Sequence, residues 1–143
     1  CVVASKFGDQ VKAFAEKAKL RQEAIFKTSA QRLMEEANTP EGQGGKMPVD
    51  TGFLRNSAGA STEGPPEAGG QAIGLVFLGL QVGQTVWAGW TAKYAMRMEH
   101  GFHGEDSKGR TYAQTGKGFA RAAAQNWVFI VAAVTKEVKD PIP

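Results

Sequence analysis

Gln71-Ala72-Ile73-Gly74-Leu75-Val76-Phe77-Leu78-Gly79-Leu80 is the stretch on which the fold turns. Ile73, Leu75, Phe77 and Gly79 alternate with Gly74, Val76, Leu78 and Leu80, so a strand here would be apolar on both faces. Gly83-Gln84 supplies a turn, and Val86-Trp87-Ala88-Gly89-Trp90 returns. The reading is a β-hairpin over about residues 71–91. Two apolar faces need cover on both sides, from helices of this chain or from a neighbouring subunit.

The segments on either side supply helices. Residues 6–37 carry Phe7, Val11, Phe14, Ala18, Ile25, Ser29 and Leu33 near the 3.6-residue period, with Lys12, Glu16, Lys19, Glu23, Lys27 and Glu35 opposite. Ser5 is the expected N-cap and Asp9 suits the first turns. Asn38-Thr39-Pro40 ends the helix, because proline restricts the residue before it and cannot continue the ladder. Residues 38–70 are rich in Gly, Pro, Ser and Thr and form an excursion with one ordered island near Met47–Leu54. There Asp50 caps a short turn over Thr51–Ser57. A short helix over about Lys93–Glu99 stops at Gly101. Residues 101–115 read as a polar loop. A last helix, about Gly118–Lys139, aligns Phe119, Ala123, Trp127, Ile130, Val134 and Val138. The expected fold is therefore α+β. A long N-terminal helix and a C-terminal helix pack on a small antiparallel sheet, with long Gly/Pro-rich loops, in one domain over 1–143. Phe14, Ile25, Leu33, Leu75, Phe77, Phe119, Trp127 and Ile130 are its expected core.

Composition bounds the function. The chain has 143 residues, 42% hydrophobic and 22% charged, an ordinary balance for one folded core. No apolar run approaches the roughly 18 residues of a membrane span, and no signal peptide is visible. The net charge of +3 comes from bases spread along the chain rather than from a basic cluster. The single cysteine, Cys1, excludes an internal disulfide. A lipidated N-terminal cysteine is the sharper reading of Cys1. Loss of the initiator methionine is the favoured one, because a helix begins almost at once with no polar tether.

Signatures of catalysis are thin. There is no Walker loop, dinucleotide fingerprint, zinc-binding cysteine set or nucleophile elbow. Glu99-His100-Gly101-Phe102-His103-Gly104-Glu105-Asp106 offers two histidines and three carboxylates to a divalent metal. It lacks the four-residue histidine spacing of a metalloenzyme helix, and a solvated loop after a helix is the favoured reading. Nothing brings Ser57 or Ser61 to these histidines as a nucleophile. Trp127 reads as core, and Trp87 and Trp90 stay open as interface residues, where aromatics are enriched. The expectation is a protein with no catalytic residues, cofactor or metal.

Two segments resemble a known family. Met47-Pro48-Val49-Asp50-Thr51-Gly52-Phe53-Leu54-Arg55-Asn56-Ser57 is similar to the V-D-T-G-x-L-R-x-S segment of phage neck and tail-completion proteins, among them relatives of the lambda Z protein. Tyr94-Ala95-Met96-Arg97-Met98-Glu99-His100-Gly101 is similar to that family's Y-A-x-x-x-E-x-G segment. Phe119-Ala120-Arg121-Ala122-Ala123 matches the aromatic-alanine opening of its last helix. The long insertions at 40–46 and 62–71 depart from the pattern. The resemblance implies a structural virion protein that forms a homo-oligomeric ring at the head–tail junction, six-fold favoured and twelve-fold the alternative. It would be made in the host cytoplasm. Its neighbours would be head-completion or connector, tail terminator and tail tube proteins, with DNA only passing through the lumen and no membrane involved. A tail terminator or head-side connector is the alternative, and a nucleic-acid-binding protein, prompted by the pI near 9.1, a further one. A hydrolase comes last.

Asp50, Thr51, Gly52, Arg55, Trp87, Trp90, Tyr94 and Glu99 are the candidate assembly residues. Glu99 ends a helix, where a carboxylate opposes the dipole, so it requires a compensating partner. Arg55, or Arg97 of a neighbouring subunit, is the expected one.

Overall fold

In the computed structural model of the chain, which describes residues 2–48, 52–105 and 108–138, Val2–Ala37 form one helix, α1. At about 1.5 Å per residue it is roughly 54 Å long. Ser5 lies inside it rather than capping it. Its end is where the sequence puts it. Asn38 N–H donates to Met34 O at 2.9 Å, Thr39 N–H donates to Glu36 O at 3.2 Å, and Pro40 follows. A closed loop with one 3-10 turn, Glu41–Gln43, brings Met47 back beside Pro40. A four-residue helix, α2 (Phe53–Asn56), then leads into β1 (Ala58–Ser61).

The hairpin over 71–91 does not form. Ile73–Leu78 is a helix, α3, and the partner of β2 (Trp87–Trp90) is β1, antiparallel, with Ala58 opposite Trp90 and Ser61 opposite Trp87. An apolar run this short fits a strand or a buried helix equally well by periodicity. Its glycines and leucines lack the β-branching that favours the pleated state. As a helix it turns Val76, Phe77 and Leu80 inward and leaves Leu75 58% exposed.

After β2 comes α4 (Ala95–His100), ended by Gly101 as expected. Residues 101–115 are not a loop. They form a second antiparallel pair, β3 (Gly101–Glu105) with β4 (Thr111–Thr115). The last helix is two, α5 (Phe119–Gln125) and α6 (Trp127–Glu137), broken at Asn126. The break lets α6 run back along α1. The Asn126 amide donates to the Glu36 carboxylate near its start, and Arg32 forms a bidentate pair with Glu137 near its end.

Among the described residues the core includes two clusters. Ala30, Met34, Ala60, Val76, Phe77 and Leu80 join α1, β1 and α3. Met47, Leu54, Ala92 and Phe119 join the loop segments to α5. Trp90 packs against both. Of the expected core, Phe77 and Phe119 are buried, while Ile25, Leu33, Trp127 and Ile130 are half-buried. Phe14 is 75% exposed, and it and Leu75 are corrections. Only the second half of α1 packs on the body, so a helical period found along its whole length does not mark its whole length as core. Among the described residues no helix is long and apolar enough to cross a membrane.

Candidate functional site

The three segments that carry the family resemblance converge on one place. Leu54 of α2, Ala92 before α4, and Phe119 of α5 are buried together with Met47, and Trp90, Ala95, Met98 and Ala120 pack around them. The Trp90 ring meets Phe119 edge-on, centroids 4.8 Å apart at 85°. The Trp90 indole N–H donates to Asn38 Oδ1 at 2.8 Å, which ties the end of α1 to β2. Trp90 is thus an internal strut.

Glu99 makes the polar link. Its Oε2 accepts the Ala120 N–H and its Oε1 accepts the Arg121 N–H, each at 2.9 Å. These donors belong to the first turn of α5, which has no partners of its own for them. The cap residue, Gly118, brings no side chain and sits at φ +66°, so the cap is supplied by a carboxylate from another helix. Glu99 lies unfavourably at the end of α4 but favourably at the start of α5. Within the chain the compensating partner is therefore backbone rather than Arg55. Arg55 is exposed on α2, and the Arg97 guanidinium stands 4.1 Å from the centre of the Phe102 ring.

Two backbone bonds run alongside. Lys117 N–H donates to Met98 O at 2.7 Å and Gly118 N–H donates to Glu99 O at 3.1 Å. The approach leaves no room for a side chain at Gly116. A Cβ there would stand 2.5 Å from the His100 carbonyl carbon and 2.7 Å from the Gly101 nitrogen. Lys117 also pairs with Glu41 at 3.0 Å, fastening the 40–47 loop to the same junction.

Asp50 and Thr51 lie outside the described residues. Gly52 is the N-cap of α2 at φ +82°, a conformation that disfavours a side chain. Tyr94 lies against Phe53, ring centres 6.1 Å apart, and both rings are exposed. Gly52, Trp90, Tyr94 and Glu99 therefore surround one junction. Arg55 has no bond to Glu99, and Trp87 sits at the far end of β2 opposite Ser61. Gly116, Gly118 and Phe53 also belong to this junction and are not among the candidate residues. Gly116 and Gly118 flanking Lys117, just before a helix, were the available signal for a tight junction. Among the described residues no group of three or more His, Cys, Asp or Glu gathers as a metal site. No family model, curated protein or solved structure matches the chain.

Proposed function

We propose that this chain is a structural protein of a tailed-phage virion, one subunit of a ring at the head–tail junction that completes the tail and joins it to the head. It works by assembly and not by turnover. One observation carries the reading. The three segments that resemble the neck and tail-completion family, far apart in sequence, meet around Leu54, Phe119 and Glu99. Segments that match by accident have no reason to share a junction. The exposed apolar side chains add support. Phe7, Phe14, Leu78, Met96, Val128 and Phe129 all face solvent in the single chain, as expected for a subunit covered by its neighbours.

A ring made by head-to-tail contacts closes when the rotation between subunits divides a full turn. A tail predicts six copies, with twelve as the alternative. The neighbours would be the connector above and the terminator and tube below, with DNA crossing the lumen. Gold-labelled antibody on intact virions is the test. Label at the neck supports the reading. Label over the capsid shell or at the distal tail tip overturns it.

A further inference from the structure

Residues 6–22 of α1 are exposed without exception. At about 100° per residue, Phe7, Val11, Phe14 and Ala18 fall within a stripe about 60° wide. Lys17 and Arg21 border the stripe along one edge, while Asp9, Glu16 and Glu23 lie on the opposite side of the helix. The arm from Lys6 to Glu23 holds five bases and three acids. This apolar stripe with a basic border is held away from the body, and nothing among the described residues covers it. The second half of the same helix is fastened to α3, α5 and α6.

The body carries the complementary surface. Between residues 56 and 92 there is no lysine or arginine, and the only charges are Glu63 and Glu67, both exposed. They rim a groove of about 1150 Å³ between the Gly/Pro-rich excursion and α3, with Leu75 in its wall. Leu78, on the same helix, and Val82 after it are exposed as well. A helix is about 10–12 Å across, so two turns fill a space of this size, and two turns are the distance from Phe7 to Phe14.

We infer that the arm of one copy docks by its Phe7–Phe14 stripe into the groove beside α3 of a second copy, with Lys17 and Arg21 facing Glu63 and Glu67. The occupant is another copy of this chain, because the basic border of the arm is opposite in charge to the acidic rim of the groove, and Ile73, Leu75 and Val76 in its wall offer apolar contact to Phe7 and Phe14. The two surfaces differ, so the contact is head-to-tail and propagates, as a ring requires. It deepens the ring reading and rests on it for closure.

Two full-length populations in a Cys1→Ser background test it, one carrying Phe14→Cys and the other Leu75→Cys. Mild oxidation of the mixture should give a mixed disulfide dimer far in excess of either homodimer. Reversing charge on one side, K17E with R21E or E63K with E67K, should weaken self-association roughly tenfold. Combining the two reversals should restore it. Phe14–Phe14 dimers in place of the mixed product, or a chain that stays monomeric at its highest soluble concentration, would overturn the docking and leave the neck placement standing. Mixed dimers from a protein absent from the neck would leave the docking and remove the placement.

Discussion

Glu99 and Ala120 are joined across two helices by a hydrogen bond that a helix normally makes with its own cap. The 2.9 Å bond from the Ala120 N–H to Oε2, with its twin from Arg121 to Oε1, makes the end of α4 the start of α5. Glu99→Ala leaves two donors of a helix terminus without acceptors and should cost about 1–3 kcal/mol. Glu99→Gln keeps one oxygen and should cost less. Chemical denaturation reads both. Equal stability of Glu99→Ala and the parent would mean that water serves these amides as well as the carboxylate does. This loss belongs to folding, so failed assembly of a Glu99 variant has to be corrected for it.

Gly116→Ala is expected to be worse. The new methyl group meets backbone, which cannot step aside as a flexible side chain can, so about 3 kcal/mol or more should be lost. Gly118→Ala, strained only by its left-handed φ, should lose about 1–2 kcal/mol. Thermal melts of the two variants should fall in that order. The reverse order would show that the α4–α5 junction yields more easily than the turn.

Ser29 is fully buried on α1, and its hydroxyl has no hydrogen-bond partner among the described residues. Ser29→Ala removes an unsatisfied polar atom at small cost in volume and should be neutral or stabilising by up to about 1 kcal/mol. Ser29→Leu should destabilise by overpacking between helices. A clear loss of stability in the alanine variant would mean that the hydroxyl is bonded in solution.

The Arg32–Glu137 pair makes a pH prediction. The hydrogen bond to Arg32 holds the Glu137 carboxyl below its usual value of 4.5, and the same bond raises the guanidinium further. A depressed carboxyl contributes stability above its unfolded value and loses it as pH falls through the folded value. The stability difference between the parent and Glu137→Gln should be present at neutral pH, small because both groups are exposed, and vanish under acid. A difference that grows on acidification would contradict the pairing.

What the sequence made legible was decided locally. Pro40 ends α1 and Gly101 ends α4 whatever surrounds them. The run from Ile73 to Leu80 was not decided locally. Helix and strand both bury such a run, and the choice rests on Ala60, Met34 and Ala30, which lie in other elements. Strands β3 and β4 were hidden by polar composition, since Gly101, His103, Gly104 and Glu105 with Thr111, Gln114 and Thr115 show little hydrophobic alternation. Thr111-Tyr112 after Gly109 was their one trace. At the candidate site, the helix dipole correctly demanded a partner for Glu99. The partner turned out to be main-chain N–H, which no side-chain inventory reveals.

The continuity of α1 has one more consequence. The turns bearing Ser29, Ala30 and Met34 and those bearing Phe7 and Phe14 belong to one uninterrupted rod, so they share one rotational setting. A one-residue slip in how Ala30 and Met34 seat would roll the far end by about 100° and point the phenylalanines elsewhere. Small substitutions in the interior, with no exposed residue altered, would thereby change which way the molecule faces a neighbour. The core acts as a key that sets the bearing of a surface some tens of ångströms away.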